Sequence, residues 1–145
     1  MELGTFGALI GFAIELEAQA MEFYQAAGRM ELGDKARATF ARLSQQSSKN
    51  RAMLERTRRE NVAEMILEPI TGLQREDYLA DLALRADMHF AEVLARALDL
   101  EEKGRVFYTA AAEKVSLPEV SRVFKRLASG RADNLSALAS LSQSS

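Results

Sequence analysis

Apolar residues recur at intervals of three and four along most of this 145-residue chain, the period of one buried face of an α-helix. The intervening stretches are rich in Ala, Leu, Glu and Arg, and the chain holds only two prolines, Pro69 and Pro118. The pattern predicts an all-α fold. Helix 1 is expected over about residues 3–28 and helix 2 over about 34–61, with Asp34 as N-cap after a short link containing Gly33. A short link makes these two helices antiparallel neighbours. From about 62 to 86 the period weakens around Pro69 and Gly72, predicting a long crossover that holds a short helix near 76–84. A third long helix should run to about residue 114. Ser116 and Glu119 then have capping-box spacing with Pro118 in the first turn, so helix 4 is expected to start there and run into a fraying Ser-rich tail.

The two halves of the chain repeat. AIELEAQAMEFYQAA (13–27) aligns with ALDLEEKGRVFYTAA (97–111), and FARLSQQSSKNRAML (40–54) with FKRLASGRADNLSAL (124–138), both without gaps at an offset of 84 residues. Each half, about 3–61 and 87–143, is therefore one helix pair. A helix pair cannot bury its apolar face alone, so the halves should pack on each other about a pseudo-twofold axis as one domain over 1–145.

The same steps of three and four show what faces the middle. In helix 2 the inward series is Phe40, Leu43, Ser47, Asn50, Leu54; in helix 4 it is Phe124, Leu127, Arg131, Asn134, Leu138. Helices 1 and 3 contribute Ala13, Glu17, Ala20, Tyr24 and Ala97, Glu101, Gly104, Tyr108, each Tyr lying two turns after its Glu. The expected central layer is thus Glu17, Ser47, Asn50, Glu101, Arg131 and Asn134, supported by Tyr24 and Tyr108, in a core otherwise built from Ala, Leu and Phe. A charge inside an apolar stripe needs a partner. Arg131 is expected to bridge both glutamates, with Asn50 and Asn134 donating amide hydrogens and Tyr24 and Tyr108 donating hydroxyls.

Composition narrows the chemistry. With no cysteine there is no thiolate zinc site, iron–sulfur cluster, thiol nucleophile or disulfide, and a cytoplasmic location is expected. The net charge of -2, with both signs interspersed, predicts neither a nucleic-acid nor a membrane partner. The short cluster Arg56, Arg58, Arg59 reads as favourable charge near a helix end. The apolar stretch 3–14 meets Glu15 and Glu17 too soon to span a bilayer, so a soluble protein is expected. His89, the single histidine, falls at a helix start and reads as partly exposed. Met21, Met30, Met53, Met65 and Met88 read as gap fillers.

A Glu followed seven residues later by Tyr in a Phe-Tyr pair, then a Phe-x-x-Leu helix, all repeated once, resembles the rubrerythrin branch of the ferritin-like superfamily over essentially the whole chain. The resemblance implies an antiparallel four-helix bundle with a long crossover between helices 2 and 3. It also implies two irons held by one Glu from each of helices 1 and 3 and a Glu-x-x-His from each of helices 2 and 4. Glu17 and Glu101 match the first pair. Ser47-Ser48-Lys49-Asn50 and Arg131-Ala132-Asp133-Asn134 replace the two Glu-x-x-His motifs, and Gly104 stands where a further helix-3 carboxylate would be. These departures imply a vestigial site with no catalytic residue and no cofactor, in a protein with a structural or interaction role.

The alternative is an iron- or manganese-dependent oxidoreductase, with one metal held between Glu17 and Glu101 or at a site shifted to Glu102 or Asp133. The family resemblance also implies a homodimer, and Leu9, Phe12 and Leu16 on helix 1 are read as apolar surface beyond one core's needs.

Overall fold

The structure is a computed structural model that describes residues 2–65 and 69–143, with the side chains of 62–65 and 143 outside the description. It is all-helical: α1 (Phe6–Gly28), α2 (Asp34–Met65), α3 (Phe90–Lys114) and α4 (Pro118–Gln143), with no strand among the described residues. The arrangement is consistent with the four-helix bundle expected from the repeat.

Local chemistry sets the helix ends. The Thr5 hydroxyl accepts from the Ala8 amide at 3.0 Å, so α1 begins three residues later than periodicity predicts. Leu3 is buried without being helical, its amide donating to the Leu73 carbonyl while the Ile70 amide donates to that of Gly4. The reversal after α1 uses Gly33 at φ 103, a conformation that costs glycine little. The Gly33 carbonyl accepts from Arg37, placing Asp34 inside the first turn of α2 instead of at its cap. The His89 amide donates to Glu92 Oε1, so the exposed histidine marks the start of α3. Pro118 opens α4, and the preceding Leu117 carbonyl accepts from Val120 and Ser121. Arg56, Arg58 and Arg59 are exposed but lie inside α2, which continues past them to Met65.

Helix α1 packs along α2 and α3 along α4. The contacts run in opposite directions along each pair: Ser44 Oγ donates to the Met21 carbonyl and Asn50 to Glu17, while Ser121 reaches Ala112 and Asn134 reaches Glu101. Two apolar clusters result. One holds Ala13, Leu54, Tyr108, Phe124 and Leu127; the other holds their repeat equivalents Ala97, Leu138, Tyr24, Phe40 and Leu43. The equivalence extends to ring geometry. Tyr24 stacks on Phe40 at 5.8 Å and 25°, and Tyr108 on Phe124 at 6.0 Å and 24°.

The segment from 69 to 89 follows the outside of the helices. Ile70 and Leu73 are buried beside Leu3, Arg75 reaches Glu15, the Leu79 carbonyl accepts from Lys103 Nζ at 2.8 Å, and Arg96 binds Asp81. The short helix expected near 76–84 is only a 3-10 turn, Arg75–Tyr78; beyond it the Leu79 carbonyl accepts from Lys103, the Asp81 carbonyl from Arg96, and the Asp81 carboxylate from the Ala83 amide, none of them a helical bond. Residues 66–68 of the expected crossover and 144–145 of the tail lie outside the described residues.

This segment also corrects the reading of helix 1. Leu9, Phe12 and Leu16 are all buried within the monomer. Phe12 packs edge-on against Phe107 at 5.1 Å and against Tyr78 at 6.5 Å, while the Arg75 guanidinium lies 5.0 Å from its ring centre. Periodicity sees helix faces and not the irregular chain that covers them.

Candidate functional site

Glu17 and Glu101 lie between the two apolar clusters, Glu17 one turn from Ala13 and Ala20 and Glu101 one turn from Ala97 and Gly104, small residues on either side. They are 0 % and 1 % exposed, and Arg131, reaching in from α4, is 4 % exposed. The guanidinium Nη2 sits 2.5 Å from Glu17 Oε2 and Nη1 sits 3.2 Å from Glu101 Oε2, so one cation spans two acids. Its carbon is 5.7 Å from the centre of the Tyr108 ring. Burial opposes the guanidinium's charge, but the Glu101 and Glu17 carboxylates outweigh it and hold the group well above its ordinary value.

The remaining donors complete the layer. Tyr24 Oη donates to Glu101 Oε2 at 2.8 Å, and Tyr108 Oη to Glu17 Oε2 at 2.6 Å. Asn50 Nδ2 donates to Glu17 Oε1 at 3.2 Å, and Asn134 Nδ2 to Glu101 Oε1 at 2.8 Å. All four carboxylate oxygens are therefore occupied, and no fully buried side-chain nitrogen or oxygen among the described residues lacks a partner. Each asparagine serves the glutamate of its own half, whereas each tyrosine serves the glutamate of the other. Burial pushes both phenols well above their ordinary range, and the carboxylate each one faces pushes in the same direction.

The symmetry breaks at one pair of positions and its neighbours. Ser47 is buried at the repeat equivalent of Arg131, and Gly104 stands at the equivalent of Ala20. A β-carbon on Gly104 would lie 2.9 Å from the Arg131 guanidinium carbon, so the missing side chain is the space the arginine fills. The sequence carries a signal for this: the one inward position that shrinks to Gly is in the half whose inward Ser is replaced by Arg. Cross-bundle choice of partner by the tyrosines carries no such signal, because periodicity places a residue on a face and does not say which neighbour it meets.

The other positions considered for chemistry lie outside this layer. Glu102 is partly exposed and paired with Arg105, which lowers its carboxyl below the usual range; Asp133 and His89 are exposed. Met88 is buried, and Met30 and Met53 pack at the core's edge, as gap fillers would. The side chain of Met65 lies outside the described residues. Among the described residues no three His, Asp or Glu side chains converge where they could hold a metal ion, and no helix is long and apolar enough to cross a membrane.

No protein-family model and no curated protein matches this chain. Among solved structures it is similar to a hypothetical protein from Pyrococcus furiosus, with a TM-score of 0.71 and 21 % identity over 91 % of this chain and 84 % of that one. At that identity the likeness carries the helical fold and nothing about activity.

Proposed function

We propose that this chain is a rubrerythrin-like member of the ferritin-like superfamily in which an internal ion-pair network has taken the place of the di-iron centre, leaving a structural or protein-interaction role without catalysis. The observation that carries the reading is the saturated central layer. Glu17, Ser47, Asn50, Glu101, Arg131 and Asn134, the positions that the resemblance assigns to iron ligands, offer two carboxylates and no imidazole. Both carboxylates already accept from a guanidinium, a phenol and an amide. A di-iron pair does not fit this donor set, because hard dications need several anionic oxygens and imidazoles, and a permanent positive charge occupies the middle. A long crossover also belongs to the reading. It is supported by the contacts that set both α2 and α3 antiparallel to α1.

Metal analysis of protein purified without chelators tests the proposal, with sub-stoichiometric iron and manganese expected. Stoichiometric metal that disappears in Glu17→Ala would instead establish the oxidoreductase alternative. A complementary experiment restores the ligands with Ser47→Glu, Asn50→His, Arg131→Glu and Asn134→His, and iron uptake by that variant alone is expected. A cytoplasmic homodimer completes the reading. The homodimer rests on the resemblance and not on Leu9, Phe12 and Leu16, which serve the monomer core, and the cytoplasmic location rests on the absence of cysteine. Light scattering at several concentrations should return about twice the 16.0 kDa chain mass, and the chain mass throughout would remove the homodimer from the reading.

A further inference from the structure

The net charge of -2 averages over surfaces that are not alike. Between 34 and 61, α2 carries eight Lys and Arg against three acids, whereas α1 carries three glutamates and no base. The two signs mix along the chain and segregate across the fold. Lys35, Arg42, Lys49 and Arg56 follow one another at intervals of seven residues, two helical turns, and so form one row. The buried Phe40, Leu43, Ser47 and Leu54 set that row on the side of α2 turned away from the core. All four cations are exposed, as is Arg59 one turn beyond, and none makes an ion pair with a described residue. Glu55, the single acid between Lys35 and Arg59, is held by Arg51 outside the row. Arg42 and Lys49 have Ala, Thr, Gln or Met at every position three or four residues away, so α2 forgoes the ion pairs that stabilise exposed helices. On the neighbouring α4, Arg126 is the repeat equivalent of Arg42, but Glu119 and Asp133 stand at the equivalents of Lys35 and Lys49, which confines the unbroken row to α2.

The shape and chemistry of the row restrict its partner. At 1.5 Å per residue it is ~32 Å long, so its cations cannot converge on one small anion and instead match an extended polyanion. Charges are screened over ~8–10 Å at ordinary ionic strength, about one helix diameter, so the row acts by itself and not through the net charge. Between its cations the outer face holds Ala38, Ala41, Gln45, Ser48 and Ala52, with no aromatic or large aliphatic side chain. A protein interface needs such apolar anchors, a membrane-surface helix needs an apolar wedge, and a single strand needs aromatic rings for its bases to stack on. A double-stranded nucleic acid needs none of these, because its phosphates face outward and are met by Lys and Arg alone. We propose that the outer face of α2 docks duplex DNA through its phosphates, without regard to base sequence, with Lys35, Arg42, Lys49 and Arg56 as the contacts. The surface is independent of the fate of the di-iron positions, since no residue of the row belongs to the central layer.

Fluorescence anisotropy of a labelled, mixed-sequence DNA duplex of about 20 base pairs, titrated with the full chain, tests the proposal. At about 25 mM KCl the Kd should be on the order of 1 μM. With about four phosphates neutralised, log K should fall against log[KCl] with a slope of about -3.6, so binding at about 100 mM KCl should be ~150-fold weaker. Arg42→Gln/Lys49→Gln should reduce the slope to about -1.8 and weaken binding at the lower salt at least ~tenfold. Its melting temperature should stay within a few degrees of the native chain's, because both side chains are exposed and make no ion pair. Arg37→Gln/Arg51→Gln removes the same charge from positions outside the row, each paired with an acid, and should leave the slope near its native value. One strand of the duplex alone should bind more weakly, and phosphatidylcholine–phosphatidylserine vesicles should not displace the duplex. Absence of binding, an affinity insensitive to salt, an unchanged slope in Arg42→Gln/Lys49→Gln, an equal loss in Arg37→Gln/Arg51→Gln, preference for the single strand, or displacement by vesicles would each overturn the proposal.

Discussion

Arg131→Ala isolates what the central cation contributes. In the native chain the guanidinium touches Oε2 of both glutamates, at 2.5 and 3.2 Å, and neither carboxylate reaches solvent. Removing it strands two like charges in the core, and breaking a buried pair in this way costs about 3–5 kcal/mol. That is a large fraction of the ~5–15 kcal/mol by which a domain of this kind is stable. In urea, with an m-value of ~2 kcal/mol/M, the midpoint followed by far-ultraviolet circular dichroism at pH 7 should fall by about 2 M. Arg131→Met combined with Glu17→Gln and Glu101→Gln should regain most of the loss, because replacing a whole buried ion cluster with neutral groups of similar size is near neutral or stabilising. A loss below about 1 kcal/mol, the value of a solvated pair, would refute the reasoning. So would a triple variant no more stable than the single one, since the damage would then be packing and not stranded charge.

Three further outcomes follow from the same geometry. Gly104→Ala should cost about 1–3 kcal/mol by overpacking against the guanidinium, yet be close to neutral when added to Arg131→Ser; equal costs in both backgrounds by denaturant titration would dissociate the two positions. Tyr24 and Tyr108 are held above their ordinary range in the folded chain, so above pH ~10 the unfolded chain releases protons that the folded chain keeps, and stability should fall by up to ~1.4 kcal/mol per pH unit for each phenol. That fall should flatten in Tyr24→Phe/Tyr108→Phe, and an unchanged alkaline slope would count against the two buried phenols. Arg75→Ala removes a partly exposed pair and a ring contact, so its cost in the same titration should stay under about 1 kcal/mol; a larger loss would mean that Arg75 pins the irregular segment over Phe12.

The core of this fold was legible in the sequence because two independent regularities coincide there. Helical period placed Glu17, Asn50, Arg131 and Asn134 on inward faces, and the offset of 84 residues placed their equivalents at the same depth. The structure joins Glu17, Asn50, Glu101, Arg131 and Asn134 with Tyr24 and Tyr108 in one hydrogen-bonded layer, and Ser47 is buried. What periodicity could not supply depends on contacts distant in sequence or on single side chains. The Thr5 cap shortens α1, and Leu3 is buried by pairing with residues beyond α2. In the 79–89 stretch the Leu79 and Asp81 carbonyls accept from Lys103 and Arg96, and the Ala83 amide donates to Asp81, bonds that a helical period does not foretell. The same stretch, with Tyr78 and Arg75, covers the face of α1 that looked free. Sequence pattern describes elements one at a time, and these features exist only between them.

The lone arginine makes the two halves non-interchangeable despite their likeness. A chain built from two copies of the first half would bring two carboxylates together over a serine and an alanine, with no cation to separate them. Two copies of the second half would supply two guanidiniums competing for one central space. Only the mixed pairing closes, with the acid-only half seated against the half that carries both the base and the gap to receive it. Pairing of like halves through these faces is thereby penalised, and a quasi-symmetric scaffold acquires one permitted combination of halves.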